Sequence, residues 1–233
     1  LLPDKTTCRA TNYTEAYLIV SDIRTLIQLP LIGDDDMGEI AVTTKNMSNI
    51  LTIGIDVQTD TIYWSDTGTK KIYSARPSGQ DFKVVIDSGV NVVEQIAIDW
   101  VGRNMYWTDF ALETLEVCTL DGRYRTVLIT ENVTNPRGLV LDPRDDERRI
   151  FWSDWGTAPK IMTAGMDGSN PALVVSTKLF WPNGLVLDLP SKRLYFADAY
   201  LDYIESVNYD GSGRLQVIAS DHFLRHPHGL ALF

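Results

Sequence analysis

Five aspartates recur along the chain and are its most regular chemical feature. Each closes a short run, IVSD, YWSD, YWTD, FWSD or YFAD, and neighbouring members lie 43 to 45 residues apart; they are Asp22, Asp66, Asp109, Asp154 and Asp198. A carboxylate can serve as a general base, bind a metal or accept hydrogen bonds from backbone N–H groups. Catalysis needs one such group, whereas a repeated fold needs one in every unit. The repetition therefore predicts carboxylates that bind backbone donors of a neighbouring turn or unit.

Three histidines form the second group that could do chemistry, because imidazole changes charge between about pH 5 and 8. His222, His226 and His228 lie in the segment HFLRHPHGL. Two interpretations stay open: a cluster that gains charge together on acidification, or ordinary loop histidines. The acidic runs at 34–36 and 145–147 are interpreted as solvated loops. The sequence has no nucleophile elbow, phosphate-binding loop or Cys/His metal spacing, which predicts no catalytic residue, no metal site and no enzyme activity.

A second repeated pattern precedes the aromatic runs, so each unit holds several short strands. The pattern is TIGID, QIAID, GLVLD, GLVLD or GLALF, and it ends at Asp56, Asp99, Asp142, Asp188 and Phe233. A third run follows in each unit, and Asp-Gly turns at 121–122, 167–168 and 210–211 then lead to a fourth. Asp-Gly between apolar alternations is a strong hairpin signal. Each unit is therefore predicted to be a four-stranded antiparallel meander.

The aromatic runs also decide how the sheets pack. In IYWSD, MYWTD and IFWSD both faces of the strand carry large apolar groups, so both faces must be covered. Sheets repeated with this period and packed radially are propeller blades. We predict an all-β, six-bladed β-propeller over 11–233, with blades at approximately 17–45, 50–87, 94–130, 137–176 and 183–220 and the start of a sixth at 228–233. One inner strand and most of the sixth blade are lacking, so the isolated chain is expected to close poorly and the natural chain to continue.

Composition limits the partners. The chain has 233 residues, a formal charge of −10 and 44% hydrophobic residues, with a pI of about 4.7. An acidic chain does not favour nucleic acid and mildly favours basic ligands. No apolar run is long enough to span a membrane, and no signal peptide is seen. Direct membrane insertion of this segment is therefore not expected.

The two cysteines are interpreted differently. Aligning the repeats on their turn glycines places Cys118 opposite Ala75, Ala164 and Val207, which predicts a buried, inert thiol. Cys8 precedes the first repeat and is expected to pair with a cysteine outside this chain.

Several motifs together resemble one family. The YWTD-type runs, DWG at 154–156, AGMDGS at 164–169 and WPNGLVLD at 181–188 resemble the YWTD propellers of the low-density lipoprotein receptor family, over about 45–233. VEQIAIDW at 93–100 and DAYLDYIE at 198–205 look most like the large endocytic receptor-related proteins. Residues 1–10 resemble the tail of the EGF-like module that precedes such propellers, with Cys8 as its last half-cystine. The first unit departs from the pattern because IVSD lacks aromatic residues.

The resemblance implies a type I, single-pass receptor on the extracellular side of the cell surface and in the endosomal lumen. It implies secreted protein ligands or lipoproteins, adjacent EGF-like and cysteine-rich modules, and endoplasmic-reticulum folding chaperones as partners. Calcium is expected only in those neighbouring modules, and the propeller is expected to support acid-dependent ligand release. Where some members place switch histidines, this chain has Asp145 and Asp202. Sequons for N-glycosylation agree with a secreted setting; they start at Asn12, Asn46 and Asn132.

Similarity to the family's Wnt co-receptors also nominates a ligand-binding face. The matching positions here are Phe110, Trp155, Trp181, Asp198, His226 and His228. Exposed aromatic residues beside acids suit a basic, partly apolar peptide. The alternative for Trp155 and Trp181 is simple packing between blades.

Other functional classes stay open beside the endocytic receptor. A Wnt-co-receptor-type signalling propeller would bind secreted ligands, and a nidogen-like matrix propeller would bind laminin. A calcium-dependent lactonase would need single-copy acids or amides that converge on one metal ion, and no such set is found.

Overall fold

The structure is a computed structural model that describes residues 17–30, 39–40, 47–219 and 224–232. The secondary structure of these residues is β only, in sheets of consecutive antiparallel strands. Within the described ranges there is no helix with the length and apolarity that crossing a bilayer demands. The strands are β1 Tyr17–Asp22, β2 Thr25–Pro30, β3 Glu39–Ile40, β4 Ile50–Asp56, β5 Thr61–Asp66, β6 Lys71–Ala75, β7 Lys83–Ile86, β8 Val93–Asp99, β9 Asn104–Asp109, β10 Thr114–Thr119, β11 Thr126–Ile129, β12 Pro136–Asp142, β13 Arg149–Asp154, β14 Lys160–Gly165, β15 Ala172–Val175, β16 Pro182–Asp188, β17 Arg193–Asp198, β18 Tyr203–Asn208 and β19 Leu215–Ala219.

Each sheet follows chain order. One sheet has three strands, β1 to β3, and four sheets have four: β4–β7, β8–β11, β12–β15 and β16–β19. The predicted four-stranded meander is thus observed four times. The chain divides into two compact units, Leu1–Val93 and Glu94–Phe233.

Turn chemistry sets the hairpins. Between the third and fourth strands of each four-stranded sheet a glycine has φ of +80° to +85°, at Gly79, Gly122, Gly168 and Gly211. Between the first and second strands a non-glycine residue takes the left-handed conformation in every sheet, at Asp60, Arg103, Arg148 and Lys192. Such conformations are tolerated where a tight turn requires them. Their recurrence shows that the same turn is built four times from different residues.

The second strand of each four-stranded sheet is covered on both faces. In the unit Glu94–Phe233, Trp152 packs in a cluster with Tyr106, whereas its neighbour Phe151 packs in another with Phe196. Successive side chains of a strand point to opposite faces, so one strand supplies two cores. In the unit Leu1–Val93, Trp64 is fully buried in a cluster with Leu26. The expectation of sheets buried on both sides is confirmed.

The motif aspartates lie at the ends of β1, β5, β9, β13 and β17. The side chain of Asp22 lies outside the described part of the structure; the other four carboxylates are at most 1% exposed. Asp154 accepts hydrogen bonds from the backbone N–H groups of Thr134 (2.8 Å), Asn135 (3.1 Å) and Gly156 (3.0 Å). A carboxylate that accepts bonds from both segments, as Asp154 does, therefore joins the turn after its strand to the loop that enters its sheet.

The residue before the motif aspartate has a function that sequence patterns did not suggest. Thr108 Oγ1 donates a hydrogen bond to the carbonyl of Arg137 (2.7 Å), and Ser153 Oγ donates to the carbonyl of Asn183 (3.2 Å). Ser65 Oγ donates likewise to the carbonyl of Val93 (2.9 Å). The hydroxyl thus reaches the first strand of the next sheet, where a buried carbonyl gains a partner. Ala197 holds this position in β17 and has no hydroxyl.

The segment 228–233 is the predicted start of a sixth blade, and the structure describes its residues 228–232. These residues contain no strand. Their backbone nevertheless lies against β16, since a Cβ on Gly184 would collide with the carbonyl of His228. Gly138 of β12 has the same relation to the carbonyl of Asn183. The segment therefore lies where the first strand of a further sheet would begin.

Cys118 is 1% exposed and free. Burial raises the pKa of its thiol to about 12, so it is inert at neutral pH. Residues 1–10, including Cys8, lie outside the described residues, as do Asn12, Asn46 and His222.

Candidate functional site

One continuous set of aromatic rings and a single guanidinium crosses the three sheets of Glu94–Phe233. We call it the aromatic surface, and it consists of Phe110, Arg137, Trp155, Phe180, Trp181 and Tyr200. Phe110 and Trp155 directly follow a motif aspartate, and Tyr200 lies two residues after one. Arg137 belongs to the first strand of a sheet, and Phe180 and Trp181 lie in the loop before such a strand. The turn and loop that each aspartate ties together therefore place these side chains side by side.

Arg137 is the cationic centre of this surface. Its guanidinium lies over two rings, at 5.4 Å from the centroid of Phe110 and 4.2 Å from that of Trp155. Nη1 also pairs with Oε2 of Glu94 at 2.7 Å. Both side chains of this ion pair are largely buried, with 23% of Arg137 and 10% of Glu94 exposed. Stacking between two rings fixes the guanidinium, because a cation is attracted to the ring faces.

The aromatic rings continue from Trp155 to the solvent. Trp155 and Trp181 meet edge to face with centroids 5.7 Å apart, and Trp181 meets Tyr200 in the same way at 5.1 Å. Phe180 and Tyr200 stack at 4.0 Å, with 46% and 50% of these residues exposed. Large exposed rings held in place by their neighbours can bind an apolar ligand group at little cost in side-chain entropy.

Glu94 is the titratable group of the surface. Burial raises the pKa of Glu94, although Arg137 beside it favours the charged form, and Asp109 adds to the rise. Since the pKa is raised, Glu94 takes up its proton at a higher pH than an exposed glutamate does. Protonation would remove the charge that neutralises Arg137.

Two N–H donors beside this ion pair have no hydrogen-bond partner among the described residues. They are Nε of Arg137 and Nε1 of Trp155, and both atoms are buried. A buried donor without an acceptor costs free energy. The centre of the surface therefore has unused capacity for an acceptor.

The structure brings together three of the six residues nominated from sequence. Phe110, Trp155 and Trp181 are partly buried members of the aromatic surface. Asp198 needs a correction, because its carboxylate is fully buried. It accepts hydrogen bonds from the N–H groups of Phe180, Trp181, Tyr200 and Leu201, so it orients two exposed rings and has no surface of its own for a ligand.

His226 and His228 lie beside the surface, and both are exposed. The backbone N–H of His226 donates to Oδ1 of Asp202 (2.8 Å), and its Nδ1 lies 2.7 Å from the carbonyl of Ala199. Nδ1 therefore carries the proton that it donates to that carbonyl. His228 Nδ1 lies 3.3 Å from the amide nitrogen of Asn183. Both histidines thus contact elements that carry members of the aromatic surface.

Sequence reasoning missed Glu94, Arg137, Phe180 and Tyr200. A usable signal was present for two of them, since Phe180 directly precedes Trp181 and Tyr200 lies two residues after a motif aspartate. No three His, Cys, Asp or Glu side chains come together as a metal site would require, within residues 17–30, 39–40, 47–219 and 224–232.

The repeated antiparallel sheets and their aspartate-tied loops define the chain as part of a β-propeller. Comparison with known families gives the particular kind. Three consecutive segments match the low-density lipoprotein receptor repeat class B, at 103–143, 148–189 and 192–233. Together these segments cover more than half of the chain. The chain belongs to this family of YWTD repeats.

Known proteins agree with this assignment. The chain is 34% identical over 99% of its length to the vitellogenin receptor Yl of Drosophila melanogaster, of which it spans 12%, and 36% identical over 78% to a vitellogenin receptor of Solenopsis invicta, of which it spans 10%. It is 35% identical over 66% to the human low-density lipoprotein receptor-related protein 5-like protein, of which it spans 60%. The relatives are receptor-family proteins, so the chain is a non-catalytic receptor-type propeller module.

Solved structures show the same fold. A nidogen–laminin complex contains a chain with a TM-score of 0.83 and 28% identity, over 93% of this chain and 82% of that one. A gluconolactonase of Xanthomonas campestris has a TM-score of 0.63 over 77% of this chain and 65% of that one, at 16% identity, and shows the fold alone. The prediction of an incomplete six-bladed YWTD propeller is confirmed.

Proposed function

We propose that the chain is an extracellular ligand-binding propeller of an endocytic receptor and that its ligand is released on acidification. The ligand is a secreted protein or lipoprotein that presents a basic, partly apolar segment. The parent protein is a type I membrane receptor of the cell surface and endosomes. EGF-like and cysteine-rich modules adjoin the propeller, and folding chaperones of the endoplasmic reticulum assist it.

One observation carries this proposal: the exposed Phe180–Tyr200 stack continues through Trp181 and Trp155 to a paired Arg137. Rings of this size supply most of the binding free energy in protein interfaces when they are held rigidly. The formal charge of −10 favours a basic ligand. The relatives named as vitellogenin receptors suggest vitellogenin as the first ligand to test.

Acid release follows from the titratable groups at the surface. Glu94 faces Arg137 and Asp109, and burial raises its pKa above the ordinary value of a glutamate. Protonation of Glu94 makes the surface more positive. A basic ligand then loses affinity as the endosome acidifies.

The test measures binding of vitellogenin to the full ectodomain at pH 7.4 and 5.5. We expect Tyr200→Ala and Trp181→Ala to lower affinity at least ~10-fold at pH 7.4, because each removes a ring of the surface. Tyr124→Ala is the matched control, since this tyrosine is 83% exposed and its ring contacts Arg123. Equal affinity of all three variants and the wild type would contradict the binding surface.

The acid response is tested separately with Glu94→Gln and with the double variant His226→Ala/His228→Ala. We expect Glu94→Gln to reduce the ratio between the affinities at pH 7.4 and 5.5, because it removes the carboxylate whose protonation leaves Arg137 without its counter-charge. The double variant tests whether the two histidines contribute. An unchanged ratio in both variants would rule out acid release by these groups. It would not contradict the proposed binding surface.

A matrix function is the second candidate, favoured by the similarity to the chain in the nidogen–laminin complex. Laminin is therefore tested as the second ligand in the same binding assay. Capture of laminin without vitellogenin would favour the matrix class. A signalling propeller of the Wnt-co-receptor type, which would bind a secreted ligand, is the remaining alternative.

A further inference from the structure

The sequon Asn132-Val133-Thr134 lies on the loop that enters β12. Asn132 is exposed and has a φ of +57°, a conformation that asparagine tolerates better than most residues. Its side-chain amide is therefore free to project from the loop. Val133, in contrast, is buried and fixes the middle of the sequon.

The third residue of the sequon is held by the motif aspartate. Thr134 Oγ1 donates a hydrogen bond to Oδ1 of Asp154 (2.7 Å), and its backbone N–H donates to Oδ2 (2.8 Å). A Cβ on Gly156 would collide with Thr134 Oγ1. The hydroxyl thus lies between a buried carboxylate and a glycine that leaves room for it.

The other unit repeats this arrangement. Ser48 is the third residue of the sequon that begins at Asn46. Its backbone N–H donates to Oδ2 of Asp66 (2.7 Å), and a Cβ on Gly68 would collide with Ser48 Oγ. In both sequons the serine or threonine is therefore the residue whose backbone N–H donates to a motif aspartate.

We propose that Asn132 is an N-glycan acceptor that can be modified only before the sheet β12–β15 closes. The enzyme that glycosylates the sequon must recognise the hydroxyl of Thr134, and Asp154 holds the same hydroxyl in the folded sheet. Glycosylation and formation of the motif-aspartate bonds therefore occur in a fixed order.

The reaction needs a lipid-pyrophosphate-linked oligosaccharide as co-reactant. The side-chain amide nitrogen of Asn132 forms a bond to the anomeric carbon of the sugar and loses one proton. The bond between that carbon and the pyrophosphate oxygen breaks, and the lipid pyrophosphate leaves. No electrons are exchanged with another group.

The order of events is tested with full-length protein secreted from cells in which synthesis of the lipid-linked donor is inhibited, so that it folds without glycans. The protein is incubated with oligosaccharyltransferase and donor, and a peptide spanning 126–142 serves as the accessible control. We expect modification of Asn132 in the peptide and at least a ~10-fold lower rate in the folded protein. Equal rates would overturn the proposal.

The shared hydroxyl is tested by substitution in untreated cells, with mass spectrometry for occupancy and a thermal melt for stability. Asn132→Gln should lose the glycan. Thr134→Val should lose the glycan and also melt at a lower temperature than Asn132→Gln. Thr134→Ser should keep both the glycan and the melting temperature. Identical melting of Asn132→Gln and Thr134→Val, or no glycan on secreted wild type, would overturn the proposal. None of these outcomes depends on ligand binding, so the proposed function is tested independently.

Discussion

The sheets β12–β15 and β16–β19 use the same buried carboxylate for different purposes. In the first, Asp154 is flanked by the small pair Thr134 and Gly156, and the hydroxyl bonds to the carboxylate. In the second, Asp198 is flanked by Phe180 and Tyr200, which stack at 4.0 Å and are exposed. The backbone hydrogen bonds to the two carboxylates are alike. The backbone bonds to the aspartate are therefore constant, and the two flanking positions decide whether a loop is stabilised internally or exposes aromatic rings to solvent.

The largest effect is expected from removing the carboxylate itself. Asp154→Ala leaves the N–H groups of Thr134, Asn135 and Gly156 without their acceptor, and each unsatisfied buried donor costs about 1–3 kcal/mol. We expect a loss of about 3 kcal/mol or more in unfolding free energy and poor secretion. Asp198→Ala should be as damaging, since the backbone bonds are alike. Native-like secretion and melting of either variant would contradict the shared structural role of the two carboxylates.

The next effect concerns the small pair. Gly156→Ala places a Cβ against Thr134 Oγ1, and overpacking of this kind costs about 1–3 kcal/mol. Combining it with Thr134→Ala should cost less than the sum of the single losses, because the collision with the hydroxyl is then removed and only the contact with the Cβ of residue 134 (3.0 Å) remains. A double-mutant cycle by chemical denaturation measures this coupling.

Tyr200→Ala is the counterpart in β16–β19. Tyr200 is 50% exposed, so its removal should lower stability by less than about 1 kcal/mol while it lowers ligand affinity. Additive losses for Gly156 and Thr134, or a Tyr200 effect as large as that of Gly156, would contradict the division of roles between the sheets.

A smaller loss is expected from Ser153→Ala. Ser153 Oγ donates to the carbonyl of Asn183 and accepts from the N–H of Gly138 (2.9 Å). Loss of the hydroxyl should lower the unfolding free energy by about 1–2 kcal/mol. Ser153→Thr is the control, because it keeps the hydroxyl and Thr108 holds the same position in β9. Equal melting of Ser153→Ala and wild type would show that the bridge adds no stability.

The parts of the fold that sequence predicted are those that repeat within each unit. Aspartate spacing, Asp-Gly turns and strands apolar on both faces gave the sheets, because each signal depends on residues close together in the chain. The aromatic surface depends on residues that lie about one repeat apart, such as Arg137 and Glu94. Arg137 was missed because its partners Phe110 and Glu94 come from another sheet, β8–β11. Asp198 was misplaced as a ligand contact because sequence could not show that its oxygens are fully occupied by backbone donors.

The smallest expected effect is a gain in stability from Ala197→Ser. Ala197 is fully buried and holds the position at which Ser153 reaches the carbonyl of Asn183 in the next sheet. The carbonyl of His228 lies against Gly184 as that of Asn183 lies against Gly138, so a new hydroxyl has an acceptor in the equivalent place. We expect the bond to raise the unfolding free energy by about 0.5–1 kcal/mol, measured by chemical denaturation of the full ectodomain. A lower unfolding free energy would show that the segment after His226 does not take the place of a first strand, and that β16–β19 ends the series of bridged sheets.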